Sequence, residues 1–265
     1  DGLHIGHQKL FREANKYKKS KKLNIGVITF DPIPKMFFNP SWKNYRISNF
    51  DEKVEFLKKF NVDFIINKKF DDKFSKINYF QFIKKILYKK INPKFIFVSD
   101  NFKFGNKREG NVNSLIEYEK KFNFKVVNPT PLRKKNIMIS SSFIRKLLIM
   151  SKLNLAKKYL KRNWSIQGKV QVGRKLGRKI GFPTCNIDIK DYIIPKLGVY
   201  KVRVKIDNLD KIYNGVANLG FRPTFNQKKI LLEVNIFNFS KNLYYKKLKV
   251  EFIKFIRGEK KFKNI

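Results

Sequence analysis

Hydrophobic positions follow two different rhythms in this chain, and the change falls near Trp164. Before it, helical and strand periods alternate. Leu10, Phe11, Ala14 and Tyr17 share one helical face within residues 8–18, and the apolar, β-branched run LNIGVITF (23–30) then reads as a buried parallel strand. DEKVEFLKKF (51–60) predicts a helix with Val54, Leu57 and Lys58 at helical spacing. VDFIIN (62–67), FIFVSD (95–100) and KVVNP (125–129) predict further strands, and YFQFIKKILYKK (79–90) a helix between them. One helix is expected over FIRKLLIMSKLNLAKKYL (143–160). Strands separated by helices imply right-handed crossovers and a Rossmann-like, doubly wound α/β sheet, whose ligands sit beyond the C-terminal strand ends.

After Trp164 the helical period is lost. SIQGKVQVG, FPTCNIDI, VYKVRVKI, IYNGVANLG, LLEVNIF and LKVEFIKFI are short strand-like runs separated by Gly, Pro and Asn turns. They predict a six-stranded antiparallel β-barrel. The chain therefore divides into an α/β domain over 1–160 and a β domain over 161–265.

Composition supports two cores: 265 residues, 42% of them hydrophobic, include 27 Phe. Lys interrupts nearly every apolar run, so none reaches the roughly 18 residues of a membrane span. No signal-peptide pattern is present, and the chain opens at Asp1. Cys185 is the only cysteine, which excludes an internal disulfide and a thiolate cluster and fits a reducing cytoplasm.

The net charge of +41 points first to nucleic acid. However, 50 Lys stand against 11 Arg, spread along the chain among many Ile, Asn and Phe. Drift in an A- and T-rich genome explains that set better than a selected basic face, and RNA binding stays the minority alternative.

The two histidines, His4 and His7, fall in one H-x-G-H unit at a helix start. Gly6 admits close approach, and the helix N-terminus offers free N–H groups to a phosphate. TFDPIPKMFF (29–38), SDNFKFGNKREGN (99–111) and ISSSFIRKLL (139–148) follow in order. By themselves Asp31-Pro32 reads equally as a turn and Ser140–Ser142 as a helix cap. GKVQVGRKLGRKIGFPTCNI (168–187) is basic and Gly-rich without being a P-loop, and its spacing fits a plain hairpin as well as a phosphate flap. Glu233, alone, is a surface strand glutamate.

Taken together these elements resemble the bacterial bifunctional riboflavin kinase/FMN adenylyltransferase family over both halves. TFDP stands where that family commonly has TFEP, Ser99 where it has Gly, Asn101 where it has Asp, and Cys185 within P-T-A-N. The resemblance implies phosphorylation of riboflavin in the second half and adenylylation of FMN to FAD in the first, with ATP and Mg²⁺. It assigns His4, Gly6, His7, Ser141, Ser142 and Arg145 to the triphosphate in the first half, with Asp31, Asn101 and Phe104 near flavin. In the second half it assigns Gly173, Arg174, Lys175, Gly177 and Arg178 to ATP, and Thr184 and Asn186 to the metal. Glu233 becomes the general base, with Arg257 and Phe262 near flavin. It also implies a first strand upstream of HIGH and a terminal helix downstream. Small-molecule substrates and a monomer or weak homo-oligomer are expected, with no membrane partner. The enzyme-class alternative is a different HIGH nucleotidyltransferase fused to an unrelated barrel, distinguished by failure to bind flavin.

Overall fold

The computed structural model describes residues 1–130, 132–134, 137–172, 183–224 and 227–259. They form two compact units. One comprises Ile5–Trp42 and Val54–Ile139; the other comprises Asp1–His4, Lys43–Lys53 and the chain from Ser140 onward.

In chain order the elements begin with α1 (Ile5–Lys21), β1 (Gly26–Asp31), α2 (Pro34–Phe38), α3 (Phe50–Lys58) and β2 (Phe64–Lys69). The short helices α4 (Asp72–Ser75) and α5 (Tyr79–Gln81) lead into a π-type helix over Phe82–Ile91. Then come β3 (Phe95–Phe97), α6 (Val112–Glu117), α7 (Glu119–Phe122) and β4 (Lys125–Val127). β1 and β2 pair in parallel from Gly26↔Phe64 to Asp31↔Lys69, and β3 pairs in parallel with β4. Parallel strands joined through helices are the α/β arrangement that the alternating periods predict. The core of this unit is aromatic: Phe74, Phe82, Phe104, Phe122 and Phe124 are buried around Leu115.

α3 differs from its expected face. Glu52, Lys53, Phe56 and Leu57 are buried, and Lys58 is exposed. The reason is polar. Glu52 accepts from Ser165 Oγ at 2.5 Å, from Tyr192 OH at 2.5 Å and from the Asn49 amide at 3.2 Å. A buried carboxylate with three donors overrides the apolar periodicity.

A small hairpin, β5 (Arg133–Lys134) and β6 (Ile137–Met138), precedes α8 (Ser141–Ile149) and α9 (Leu153–Leu160). The single helix expected over 143–160 is thus two. Ser151 takes φ 52°, and its hydroxyl is engaged by Tyr200 OH at 2.8 Å and the Lys196 amide at 3.1 Å. Those bonds, with the positive φ, end one helix and start the other.

The remaining strands are β7 (Trp164–Gln171), β8 (Cys185–Asp188), β9 (Gly198–Ile206), β10 (Ile212–Thr224), β11 (Gln227–Ile236) and β12 (Lys247–Arg257). They close a six-membered antiparallel barrel in the order β10-β11-β8-β7-β12-β9. Along β9, Tyr200, Val202, Val204 and Ile206 are buried while Lys201, Arg203 and Lys205 are exposed. Along this strand Lys201 and Lys205 therefore follow the outward period. Among the described residues no helix is long and apolar enough to cross a membrane.

Candidate active sites

The barrel brings three of the expected residues together. Leu232 and Val234 are fully buried in the barrel core, so Glu233 between them points outward. Register places Asn186 of β8 opposite Glu233 on one side and Asn218 of β10 opposite it on the other. Directly opposed residues share a face with Cβ atoms about 5 Å apart. Thr184 is exposed just ahead of β8, and the Asn235 side chain donates to the Pro183 carbonyl at 2.8 Å, fixing that approach.

Asn186 is only 6% exposed, and its Oδ1 is buried with no hydrogen-bond partner among the described residues. Leaving a buried acceptor unmet costs about 1–3 kcal/mol. An oxygen so placed beside a carboxylate suits a hard cation. Cys185 alternates inward against the barrel core, and burial pushes its thiol up to about 11. That is the reactivity of a packing residue.

Arg257 closes β12 and its guanidinium donates to the Gly258 carbonyl at 3.1 Å. Gly173, Arg174, Lys175, Gly177, Arg178 and Phe262 lie outside the described residues.

In the same compact unit, Asp1–His4 is tied to α8. Ser140 is the helix cap, accepting from the Phe143 amide at 3.2 Å. Ser141 Oγ donates to the Asp1 carbonyl at 2.8 Å, and Ser142 is exposed on the first turn. Arg145, 7% exposed, donates to Asp1 Oδ2 at 2.7 Å and to the Tyr45 carbonyl at 2.8 Å, with its guanidinium 3.7 Å from the centre of the Tyr45 ring. Burial lowers it to about 10, still a cation at neutral pH.

His4 is 5% exposed, and burial together with surrounding positive charge lowers it to about 3. It therefore acts as a neutral imidazole, donating or accepting one bond without adding charge. Because the unfolded chain takes up this proton near 6.5, the stability held by neutral His4 is complete above that pH and drains away as pH falls towards 3. The slope is roughly 1.4 kcal/mol per pH unit for one proton. Urea melts between pH 7 and 4 should show His4→Gln losing less stability per unit than the unaltered chain. Equal slopes would refute a buried neutral His4.

In the other unit, His7 is half-buried on the first turn of α1, two residues into the helix from Ile5. Asp31 is exposed at the C-terminal end of β1, and Asn101 is exposed beyond the end of β3, accepting from Ser99 Oγ at 2.9 Å. Each stands at or beyond the C-terminal end of its strand, where α/β sheets bind ligands. Phe104 is buried between Phe82 and Phe102, with ring centroids 5.3 and 5.4 Å away. A groove of about 490 Å³ lined by Lys21, Lys94, Phe95 and Lys125 opens at the opposite end of β3 and β4. It holds none of the expected residues.

Sequence reasoning did not single out Asp1, Tyr45, Glu52 or Arg162. Arg162 carried a usable signal, as an arginine retained in a chain that writes lysine elsewhere.

The family model for FAD synthetase matches residues 1–143, and that for riboflavin kinase matches 160–265. The chain is 42% identical over 264 residues to a bifunctional riboflavin kinase/FMN adenylyltransferase of Buchnera aphidicola subsp. Schizaphis graminum, covering 98% of this chain and 84% of the relative. It is 38% identical to a protein of the same description from Haemophilus influenzae, covering 99% and 85%. With the Escherichia coli K12 protein, also so described, identity is 32%, covering 100% and 84%. Among solved structures, one described as a macrolide-efflux protein from Streptococcus pneumoniae superposes with TM-score 0.85 at 31% identity, covering 100% of this chain and 86% of that one.

Proposed function

The chain belongs to the bifunctional riboflavin kinase/FMN adenylyltransferase family, and on that premise we propose how its residues divide two reactions. It phosphorylates riboflavin to FMN at the expense of ATP, then transfers AMP from a second ATP to FMN, giving FAD and pyrophosphate. We assign phosphorylation to residues 161–265 and adenylyl transfer to residues 1–160.

The observation that carries the kinase assignment is the outward row of Asn186 and Glu233, with the buried Asn186 Oδ1 left unbonded among the described residues. Glu233 takes the proton of the ribityl 5′-hydroxyl as that oxygen attacks the γ-phosphorus and ADP leaves. Thr184 and Asn186 offer uncharged oxygens to Mg²⁺, which neutralises phosphate charge when bound. Gly173, Arg174, Lys175, Gly177 and Arg178 cover the ATP phosphates, and Arg257 and Phe262 border the flavin.

In adenylyl transfer the FMN phosphate attacks the α-phosphorus directly, so orientation and positive charge carry the rate. His4 serves as a neutral donor and Ser142 as an exposed hydroxyl at the start of α8. Ser141 and Arg145 hold the Asp1–His4 approach, and Gly6 and His7 offer the first turn of α1 to phosphate. Asp31 and Asn101 border the flavin, with Phe104 packed beneath. We place the enzyme in the cytoplasm as a monomer or weak homo-oligomer.

Chromatography of flavins after incubation with Mg·ATP tests the reading. Riboflavin should yield FMN and then FAD, and FMN supplied alone should yield FAD. Absence of either product identifies the half wrongly assigned. Asn186→Ala should raise the Mg²⁺ concentration for half-maximal FMN formation at least tenfold, leaving FAD formation from FMN unchanged. An unaltered Mg²⁺ titration would remove Asn186 from the metal site.

A further inference from the structure

The first residues of the chain are held by a side chain from its second half. Arg162 Nη2 donates to the Gly2 carbonyl at 2.8 Å and to Ser48 Oγ at 3.4 Å, while Nη1 donates to the Leu160 carbonyl at 3.2 Å. Two residues on, the Trp164 indole donates to the Ile47 carbonyl at 2.8 Å. Gly2 itself takes φ +79°, and a Cβ there would stand 2.9 Å from the Ile47 side chain. The backbone that delivers His4 is thus clamped between Ile47 and Arg162, and all these residues lie in one compact unit.

Sequence places the two sides of this clamp in different halves. Gly2 and His4 fall within the FAD synthetase match, whereas Arg162 falls within the riboflavin kinase match. We propose that Arg162 is a positioning residue for adenylyl transfer: its guanidinium fork fixes the Gly2 backbone and, through it, His4. The inference rests on the assignment of His4 to that reaction. The chemistry favours arginine specifically. Three acceptors lie in different directions, and a planar fork meets them together where an ammonium cannot hold that geometry. A residue placed about 1 Å out of line costs on the order of a hundredfold in rate.

Charge gives the clamp a second, separable effect. The charged side chains facing His4 are Arg145 on α8 and Arg162 ahead of β7, and both favour neutral imidazole beyond what burial does.

Two variants of the full chain separate fork from charge. Arg162→Lys keeps the charge and loses the fork; Arg162→Met loses both. FAD formation from FMN should fall at least tenfold in each, with FMN formation from riboflavin within twofold of the unaltered enzyme. The acid limb of the FAD rate should stay in place for Arg162→Lys and move to higher pH for Arg162→Met. FAD formation within twofold of normal in Arg162→Lys would overturn the inference, as would parallel loss of both activities in the two variants. If the unaltered enzyme makes FMN but no FAD, the His4 assignment fails and takes this inference with it.

Discussion

Glu233→Gln should reduce FMN formation from riboflavin by roughly a thousandfold, within the range of about 10²–10⁴ that a positioned general base contributes. FAD formation from supplied FMN should be untouched. Glutamine keeps the size and polarity of the outward row between Asn186 and Asn218, so barrel packing does not change. What it loses is the basic carboxylate that takes the ribityl proton. Rates measured separately on riboflavin and on FMN test this directly. Retained kinase activity would mean that Glu233 is a surface glutamate after all, and loss of both activities would mean that the substitution disturbs the fold.

Arg145→Met should unfold the protein more readily than any single change at the barrel surface. Arg145 and Asp1 are buried partners, with side chains 8% and 7% exposed. Removing one partner of a buried ion pair strands the other and costs about 3–5 kcal/mol. In a domain of this size that lowers the melting temperature by on the order of 10 °C. FAD formation should collapse as well, since Asp1 also receives the Ile47 amide, and Ser141 binds the Asp1 carbonyl. The double variant Arg145→Met with Asp1→Asn separates these effects: relieving the stranded charge should restore much of the melting temperature without restoring FAD formation. Recovery of both would assign Arg145 to stability alone.

The barrel was legible because its signal is local. Each of the six apolar runs after Trp164 is a strand, and short turns leave the alternation of β9 undisturbed. The strands of the α/β unit were legible for the same reason, as compact apolar runs. What escaped depends on partners distant in sequence. The buried face of α3 is dictated by Ser165 and Tyr192, more than a hundred residues away, and the break at Ser151 by Tyr200. The candidate sites divide likewise. Asn186 and Glu233 stand in motifs whose spacing survives in the sequence, and register alone brings them together. Arg162 and Tyr45 act on carbonyl groups or through an aromatic face, which leave no pattern along the chain. With 50 Lys against 11 Arg in the chain, an arginine is itself an informative residue. Arg46 is 8% exposed and bonded to Asp191, so it repeats the lesson of Arg162.

The inward-facing thiol of Cys185 also makes this enzyme its own reporter. It sits beside Asn186 in a closed barrel, and its raised titration point keeps it slow towards alkylating reagents. With no other cysteine in this sequence to compete, the rate of covalent labelling reports on the opening of β8 around this half-buried thiol. Mass spectrometry of a labelled time course would follow that opening without any engineered probe. Ligands that engage the neighbouring strand positions should lengthen the labelling half-time in proportion to their occupancy.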